Sequence, residues 1–393
     1  RFSHQDRQWD ASFFVQGSLR GRVGGRYEGM LNAKFARDKL HYRSDPRLDV
    51  TTMYVDNRYD QREWYASSAN RFSLRDWWSV GLSVDYQVNA LDADLVDFVY
   101  PRRHCLLVAV ATSVHLPRFK GQASVLGTFA GERTRVPGGA AGDKRECSPT
   151  VVVSWQPREG REFHARAFYK RIFRLPTLND LYYTFIGNRL LNPERAVQWN
   201  VGATRGVTPA GGVLRRLEVQ VDAYYNRVTD KIVAMPTSNQ FRWTMVNLGV
   251  VDIRGADAAV VAAWRPGGAW HAESRLNYTF QRARDVTRAS DSFHGDQIPY
   301  IPVHAGTLAL GVGRGAWDLN YSFIYTGQRF NASANIPENR EKPWYTSDVA
   351  ISWSGRRARV TAEVNNLFNQ QYEVVRCYPM PGAHLYLSAS ITI

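Results

Sequence analysis

Residues 385–393 fit one kind of element. Leu385, Leu387, Ala389, Ile391 and Ile393 occupy alternate positions, with Tyr386, Ser388, Ser390 and Thr392 between them. A β-strand sends successive side chains to opposite faces. This strand therefore has one wholly apolar face and one polar face, as a barrel strand does between lipid and water. The alternation recurs in about 17 segments from Trp9 onward. In 217–226, Leu217, Val219, Val221, Ala223 and Tyr225 oppose Glu218, Gln220, Asp222, Tyr224 and Asn226. In 317–326, Trp317, Leu319, Tyr321, Phe323 and Tyr325 oppose Asp318, Asn320, Ser322, Ile324 and Thr326. In 357–365, Ala358, Val360, Ala362 and Val364 oppose Arg357, Arg359, Thr361, Glu363 and Asn365. Each segment has roughly the 9–11 residues that a tilted transmembrane strand needs. Segments 52–72 and 104–114 alternate less cleanly.

The chain has 393 residues and no apolar run long enough for a membrane helix. For a membrane protein, only a β-barrel remains. An aromatic content of 13% suits the rings of Trp and Tyr that barrels place at both interfaces. Connections alternate between short ones, such as Gln156–Gly160, Pro266–Gly268, Gly313–Gly315 and Ser354–Gly355, and long ones. The long ones fall near 90–103, 131–146, 174–194, 229–242, 281–299, 328–345 and 370–382. Barrels have short periplasmic turns and long outer loops. Trp78, Trp155, Trp264, Trp270, Trp317 and Trp353 all sit beside short turns, and alternation puts each on the apolar face. They read as a periplasmic girdle.

Two segments resemble a known family. Val364-Asn-Asn-Leu-Phe-Asn-Gln-Gln-Tyr372, then Tyr378-Pro-Met-Pro-Gly382 and a terminal strand, resemble the C-terminus of TonB-dependent outer-membrane receptors. Phe173-Arg-Leu-Pro-Thr-Leu-Asn-Asp-Leu-Tyr-Tyr183, then Gly187-Asn-Arg-Leu-Leu-Asn-Pro-Glu194, resemble the same family's "FRAP … NPxLxPE" region. The resemblance implies an all-β, antiparallel, 22-stranded transmembrane barrel in the Gram-negative outer membrane. It implies a receptor that binds a scarce large nutrient (ferric siderophore, cobalamin or haem) at its outer loops. Import then draws energy from TonB, which acts on a plug. A surface lipoprotein capping the loops stays open.

Strand parity extends this expectation. If the long loops are external, the last strand runs inward, and so does the first of 17. Bacterial barrels are even and antiparallel. Residues 1–393 are therefore expected to form a single incomplete domain, the C-terminal part of the barrel. About 17 of 22 strands are present, and five strands and the N-terminal plug are absent. The start at Arg1, without Met or a signal peptide, agrees. A passive porin, with 16–18 strands, and a non-transporting surface β-protein are the alternatives.

The long loop 174–194 is the candidate ligand site, through Arg174, Asn179, Asp180, Tyr182, Tyr183, Phe185 and Asn188. Aromatic and amide groups suit a large ligand with flat apolar surface and hydrogen-bonding groups. Turn chemistry at Pro176 and Pro193 offers a structural reading of the same residues. Haem receptors commonly carry a histidine between the two motif halves, and none lies between Thr177 and Gly187. Loop 281–299 carries Asp285, Asp291, His294 and Asp296, a calcium-like set without EF-hand spacing, read as a solvated loop. Carboxylates such as Glu218 and Asp222 read as charge partners lining the lumen.

The net charge of +14 comes from Lys and Arg scattered singly along the strands. That patterning argues against nucleic acid and for a basic lumen or for charge balance with anionic lipopolysaccharide in the surrounding outer-membrane lipid. Cys105, Cys147 and Cys377 have no metal-ligand spacing. No G-x-S-x-G, H-E-x-x-H or P-loop pattern appears, so no enzyme, cofactor or metal centre is expected.

Overall fold

The computed structural model describes residues 7–44, 54–158, 160, 162–183, 187–236 and 243–392. The chain begins with β1 (Arg7–Val23), β2 (Tyr27–Ser44), β3 (Val55–Arg75), β4 (Trp78–Ala93), β5 (Arg102–His115) and β6 (Phe119–Arg133). β7 (Lys144–Trp155) and β8 (Phe163–Arg174) lead to a short helix α1 (Leu178–Tyr182). There follow β9 (Glu194–Val207), β10 (Leu214–Pro236), β11 (Trp243–Gly267), β12 (Trp270–Asp285), β13 (His304–Arg314) and β14 (Trp317–Thr326). The chain ends with β15 (Arg329–Phe330), β16 (Arg340–Glu341), β17 (Trp344–Ser354), β18 (Ala358–Asn365), β19 (Glu373–Val375), β20 (Tyr378–Pro379) and β21 (His384–Ile391). The pairs β15–β16 and β19–β20 are short ladders inside loops.

The other strands form one 17-stranded sheet. Each pairs antiparallel with the next along the chain, from β1–β2 through to β18–β21. Such a meander of 17 strands makes β1 and β21 run in the same sense. Both are exposed along their whole described length. Among the described residues, β1 has a register only with β2, and β21 only with β18.

The registers sort the side chains into two faces. On one face lie ladders such as Ser18–Asn32–Ser67 and Lys34–Glu63–Gln87. On this face side chains also reach across an intervening strand. Arg166 of β8 meets Asp222 of β10, and His271 of β12 comes within 3.3 Å of Asp318 of β14. Strands two apart are roughly 9.6 Å distant, so such contacts mark the concave side. Each passes over a glycine. A Cβ at Gly202 would collide with the Asp222 carboxylate, and one at Gly313 with both His271 and Asp318. The polar face is the inner one. It carries Glu218, Gln220, Asp318, Asn320, Glu363 and Ser388.

The opposite face is apolar and open. Val221, Leu276, Leu319, Ile351, Val360 and Ile391 are all exposed there. Leu217, Val219, Trp317 and Phe323 share that side; Ile393 lies outside the described residues. The six tryptophans expected beside short turns sit at strand ends on this face, each at least 37% exposed. Trp317 directly opposes Trp353, and Trp155 opposes Phe119. Soluble sheets bury such side chains, so this belt is a lipid interface.

One expectation changes, and one irregularity finds its cause. Residues 229–236 lie in β10 and not in a loop, because β10 and β11 pair on as strands of 23 and 25 residues; 237–242 lie outside the described residues. Segment 52–72 alternates poorly because β3 has 21 residues, more than a membrane crossing needs. Its upper outward positions, Arg58, Asp60 and Arg62, stand beyond the apolar belt, where charge costs little.

Candidate functional site

The described apolar cores lie at the long-loop end. Tyr59, Leu91, Ala93, Phe98, Val99, Leu178, Leu181, Tyr182, Leu191 and Ile232 form one cluster. Tyr59, Leu91 and Ala93 belong to the inner face of β3 and β4, and Ile232 to that of β10. The β8–β9 loop therefore folds inward, against the mouth of the sheet's concave side.

Sequence sets this loop locally. Thr177 caps α1 by accepting from the Asp180 amide at 3.1 Å, and the Asp180 carboxylate accepts from the Thr177 amide at 2.8 Å. That capping box offsets two otherwise unpaired amides of the first turn. Arg174 closes the loop base through Glu194 at 3.1 Å, with Asp180 3.9 Å away. Asn179 is exposed, and its carbonyl accepts from the Tyr183 amide. Asn188 donates to the Met245 carbonyl at 3.0 Å and accepts from the Leu190 amide.

The loop is anchored by one buried charge pair. Arg103 of β5 donates twice to Glu132 of β6, at 3.0 and 2.8 Å. Its remaining guanidinium nitrogen reaches the Pro176 carbonyl at 2.6 Å. The second Glu132 oxygen accepts from the Tyr182 hydroxyl at 2.9 Å and the Ala141 amide at 3.1 Å. Four donors thus satisfy a carboxylate whose side chain is 4% exposed. Burial, with the Glu132 charge beside it, pushes the Tyr182 hydroxyl well above the ordinary phenol range, so it stays a proton donor. Tyr183 stacks on Tyr59 with ring centres 4.3 Å apart. Its hydroxyl is also raised, chiefly by burial.

Beside this anchor opens a cavity of about 1130 Å³. Tyr54, Asn57, Asp97, Phe98, Tyr183 and Asn188 are among its lining residues. Of the seven residues singled out from sequence, Tyr182, Tyr183 and Asn188 line the cavity, whereas Arg174, Asn179 and Asp180 shape the loop. Phe185 lies outside the described residues. Tyr59, Arg103 and Glu132 were not singled out. They are ordinary strand residues, and only the fold brings them to the loop.

The other motifs hold loops. Asp285 accepts from the Thr287 amide, and Asp296 from the Asn335 amide at 2.9 Å. The buried Asn366, at φ +50°, takes the Gln370 amide and donates to the carbonyls of Gln370 and Pro381. Asn369 takes the Ala383 amide. Asn366 and Asn369 thus act as backbone surrogates that bend the chain into the last strand. Cys105 is buried, and Cys147 and Cys377 are exposed free thiols.

Comparison with known proteins gives a consistent picture. A family model described as TonB dependent receptor-like, beta-barrel, matches residues 1–367. The vitamin B12 transporter BtuB of Photobacterium profundum is 23% identical over 230 residues, covering 56% of this chain and 33% of that protein. The FrpB iron transporter of Neisseria meningitidis (F5-1 variant, apoprotein) superposes with a TM-score of 0.71 at 14% identity, covering 97% of this chain and 64% of that one. The ferric-catecholate import receptor Fiu of E. coli K12 gives 0.72 at 13% identity, covering 99% and 65%. The chain thus spans about a third of the curated relative's length and just under two thirds of these solved structures. With its lipid-facing belt, inward-folded loop and family match over residues 1–367, the chain belongs to the TonB-dependent receptor β-barrel family of the outer membrane.

Proposed function

We propose that the complete protein captures a scarce, large nutrient at its loop end and imports it with energy from TonB. The cavity at the sheet's mouth carries this reading. Its volume of about 1130 Å³ exceeds the roughly 300–1,000 Å³ of ordinary small-molecule sites. Its lining mixes rings with amides and a carboxylate, which suits a ligand with flat apolar surface and a polar rim. Ferric siderophores and cobalamin have that chemistry. Haem fits less well, because residues 178–186 offer no histidine. The names of the relatives, an iron transporter, a ferric-catecholate receptor and a vitamin B12 transporter, support the same range.

Import by this route requires a closed wall. Among the described residues the outer edges of β1 and β21 have no partner strand, and unpaired backbone groups in hydrocarbon cost several kcal/mol each. Because the two edges run in the same sense, an odd number of further antiparallel strands closes the ring. Five would make the 22 of outer-membrane transporters.

Titration of the full-length protein with ferric siderophores and cyanocobalamin tests the reading. Tyr183→Ala is expected to weaken binding by about 1–3 kcal/mol while the barrel still folds. Unchanged affinity in both Tyr183→Ala and Asn188→Ala would remove the ligand from this cavity.

A further inference from the structure

The outer face changes character above the apolar belt. Going up β12 from the short-turn end, outward positions read Trp270, Ala272, Ser274, Leu276, Tyr278 and Phe280, then Arg282 and Arg284. On β11 the row ends in Arg254 and Asp252, and on β10 in Tyr225 and Arg227. The registers set Arg254 directly opposite Arg282, and Asp252 opposite both Arg227 and Arg284. Four positive charges and one negative charge therefore share a patch three strands wide.

The single carboxylate is already engaged. Asp252 accepts from the Tyr225 hydroxyl at 3.1 Å and lies 3.7 Å from Arg227. Arg254, Arg282 and Arg284 are exposed, and among the described residues none has a carboxylate within ion-pair distance. The Arg254 guanidinium lies over the Tyr225 ring and that of Arg282 over Phe280, at 5.5 and 5.6 Å. Like charges facing each other across a ladder destabilise it, and an anion bound between them would relieve that repulsion.

Height says where that anion sits. Arg282 stands about 12 residues beyond Trp270. At roughly 3.3 Å per residue and a tilt near 45°, that is about 28 Å above the girdle. The apolar band of such barrels is about 25 Å tall. The arginines thus stand at headgroup level on the long-loop side, directly above exposed Leu276 and Tyr278. We propose that Arg254, Arg282 and Arg284 hold the phosphate groups of an anionic outer-leaflet lipid, whose acyl chains lie on the apolar rows below. Guanidinium groups bind phosphate with two parallel N–H bonds, and rings beneath them fix their planes. The site is independent of what the cavity binds.

Native mass spectrometry of the full-length protein in detergent, with diphosphoryl lipid A, tests this. The triple variant R254Q/R282Q/R284Q is expected to bind the tightest lipid about a hundredfold more weakly. Lipid A stripped of phosphate should bind wild type as weakly as intact lipid binds the variant. Heat-shifted gel mobility checks that the barrel has folded. Should the triple variant fail that check, Arg254→Gln and Arg282→Gln singly, each about fivefold weaker, carry the test. Unchanged binding by the folded variants, or equal binding of the phosphate-free lipid, would overturn the proposal. Displacement of the lipid by an equal concentration of inorganic phosphate would overturn the lipid reading in favour of a free-anion site.

Discussion

Replacing Glu132 with alanine is expected to release the β8–β9 loop from the barrel wall at a cost of about 3–5 kcal/mol. The substitution leaves Arg103 charged and buried without a counter-ion. It also strips the Tyr182 hydroxyl and the Ala141 amide of their acceptor. The cost is local, because the ladder between β5 and β6 does not depend on this side chain. Hydrogen exchange should therefore rise across residues 175–193 while the amides of β5 and β6 stay protected. Glu132→Gln keeps an acceptor but removes the charge, and should fall between wild type and Glu132→Ala. Unchanged exchange in the loop of the alanine variant would show that α1 is held by apolar packing alone.

A charge placed in the lipid belt should cost an amount set by its height. Leu276 lies midway between Trp270 and Arg282 on β12, 48% exposed on the outer face. Leu276→Arg is expected to destabilise the barrel by about 2–4 kcal/mol, the midplane value. Val360 shows the contrast. It looks equally lipid-facing, but its register partner is Trp353, so it stands at the girdle. Val360→Arg should cost only about 0–1 kcal/mol. Reversible unfolding in urea from lipid vesicles would measure both. Equal costs at the two positions would contradict the heights assigned here.

The contrast shows what was legible in the sequence. Two-residue alternation set the faces of β10, β14 and β18, and turn spacing set the strand count. Both are local properties of the chain. Height above the membrane is not local, because it follows from register between strands, and so Val360 read from sequence alone had no depth. The same limit applies at the candidate site. The capping box of Thr177 and Asp180 spans three residues and could have been read from sequence. The Tyr182–Glu132 bond spans 50 residues, and the stack of Tyr183 on Tyr59 spans more. Residues 229–236 continue β10 past the belt, at a height where alternation no longer separates lipid from water, so the sequence there reads as a loop. The outward arginines went unremarked for a related reason. Scattered singly along the chain, they become a patch only when three strands are laid side by side.

Even-numbered positions of β12 face lipid, and odd-numbered ones the barrel interior, up to the level of Arg282. Spin labels placed singly from Glu273 to Arg284 in the full-length protein, reconstituted in lipid vesicles, test it directly. Accessibility to oxygen, which concentrates in hydrocarbon, should oscillate with a period of two residues. It is expected to be high at Ser274, Leu276, Tyr278 and Phe280 and low at Glu273, Arg275, Asn277, Thr279 and Gln281, and to fall away at Arg282 and Arg284. A profile without that period, or one with its maxima at the odd positions, would mean that β12 does not present its even-numbered face to lipid.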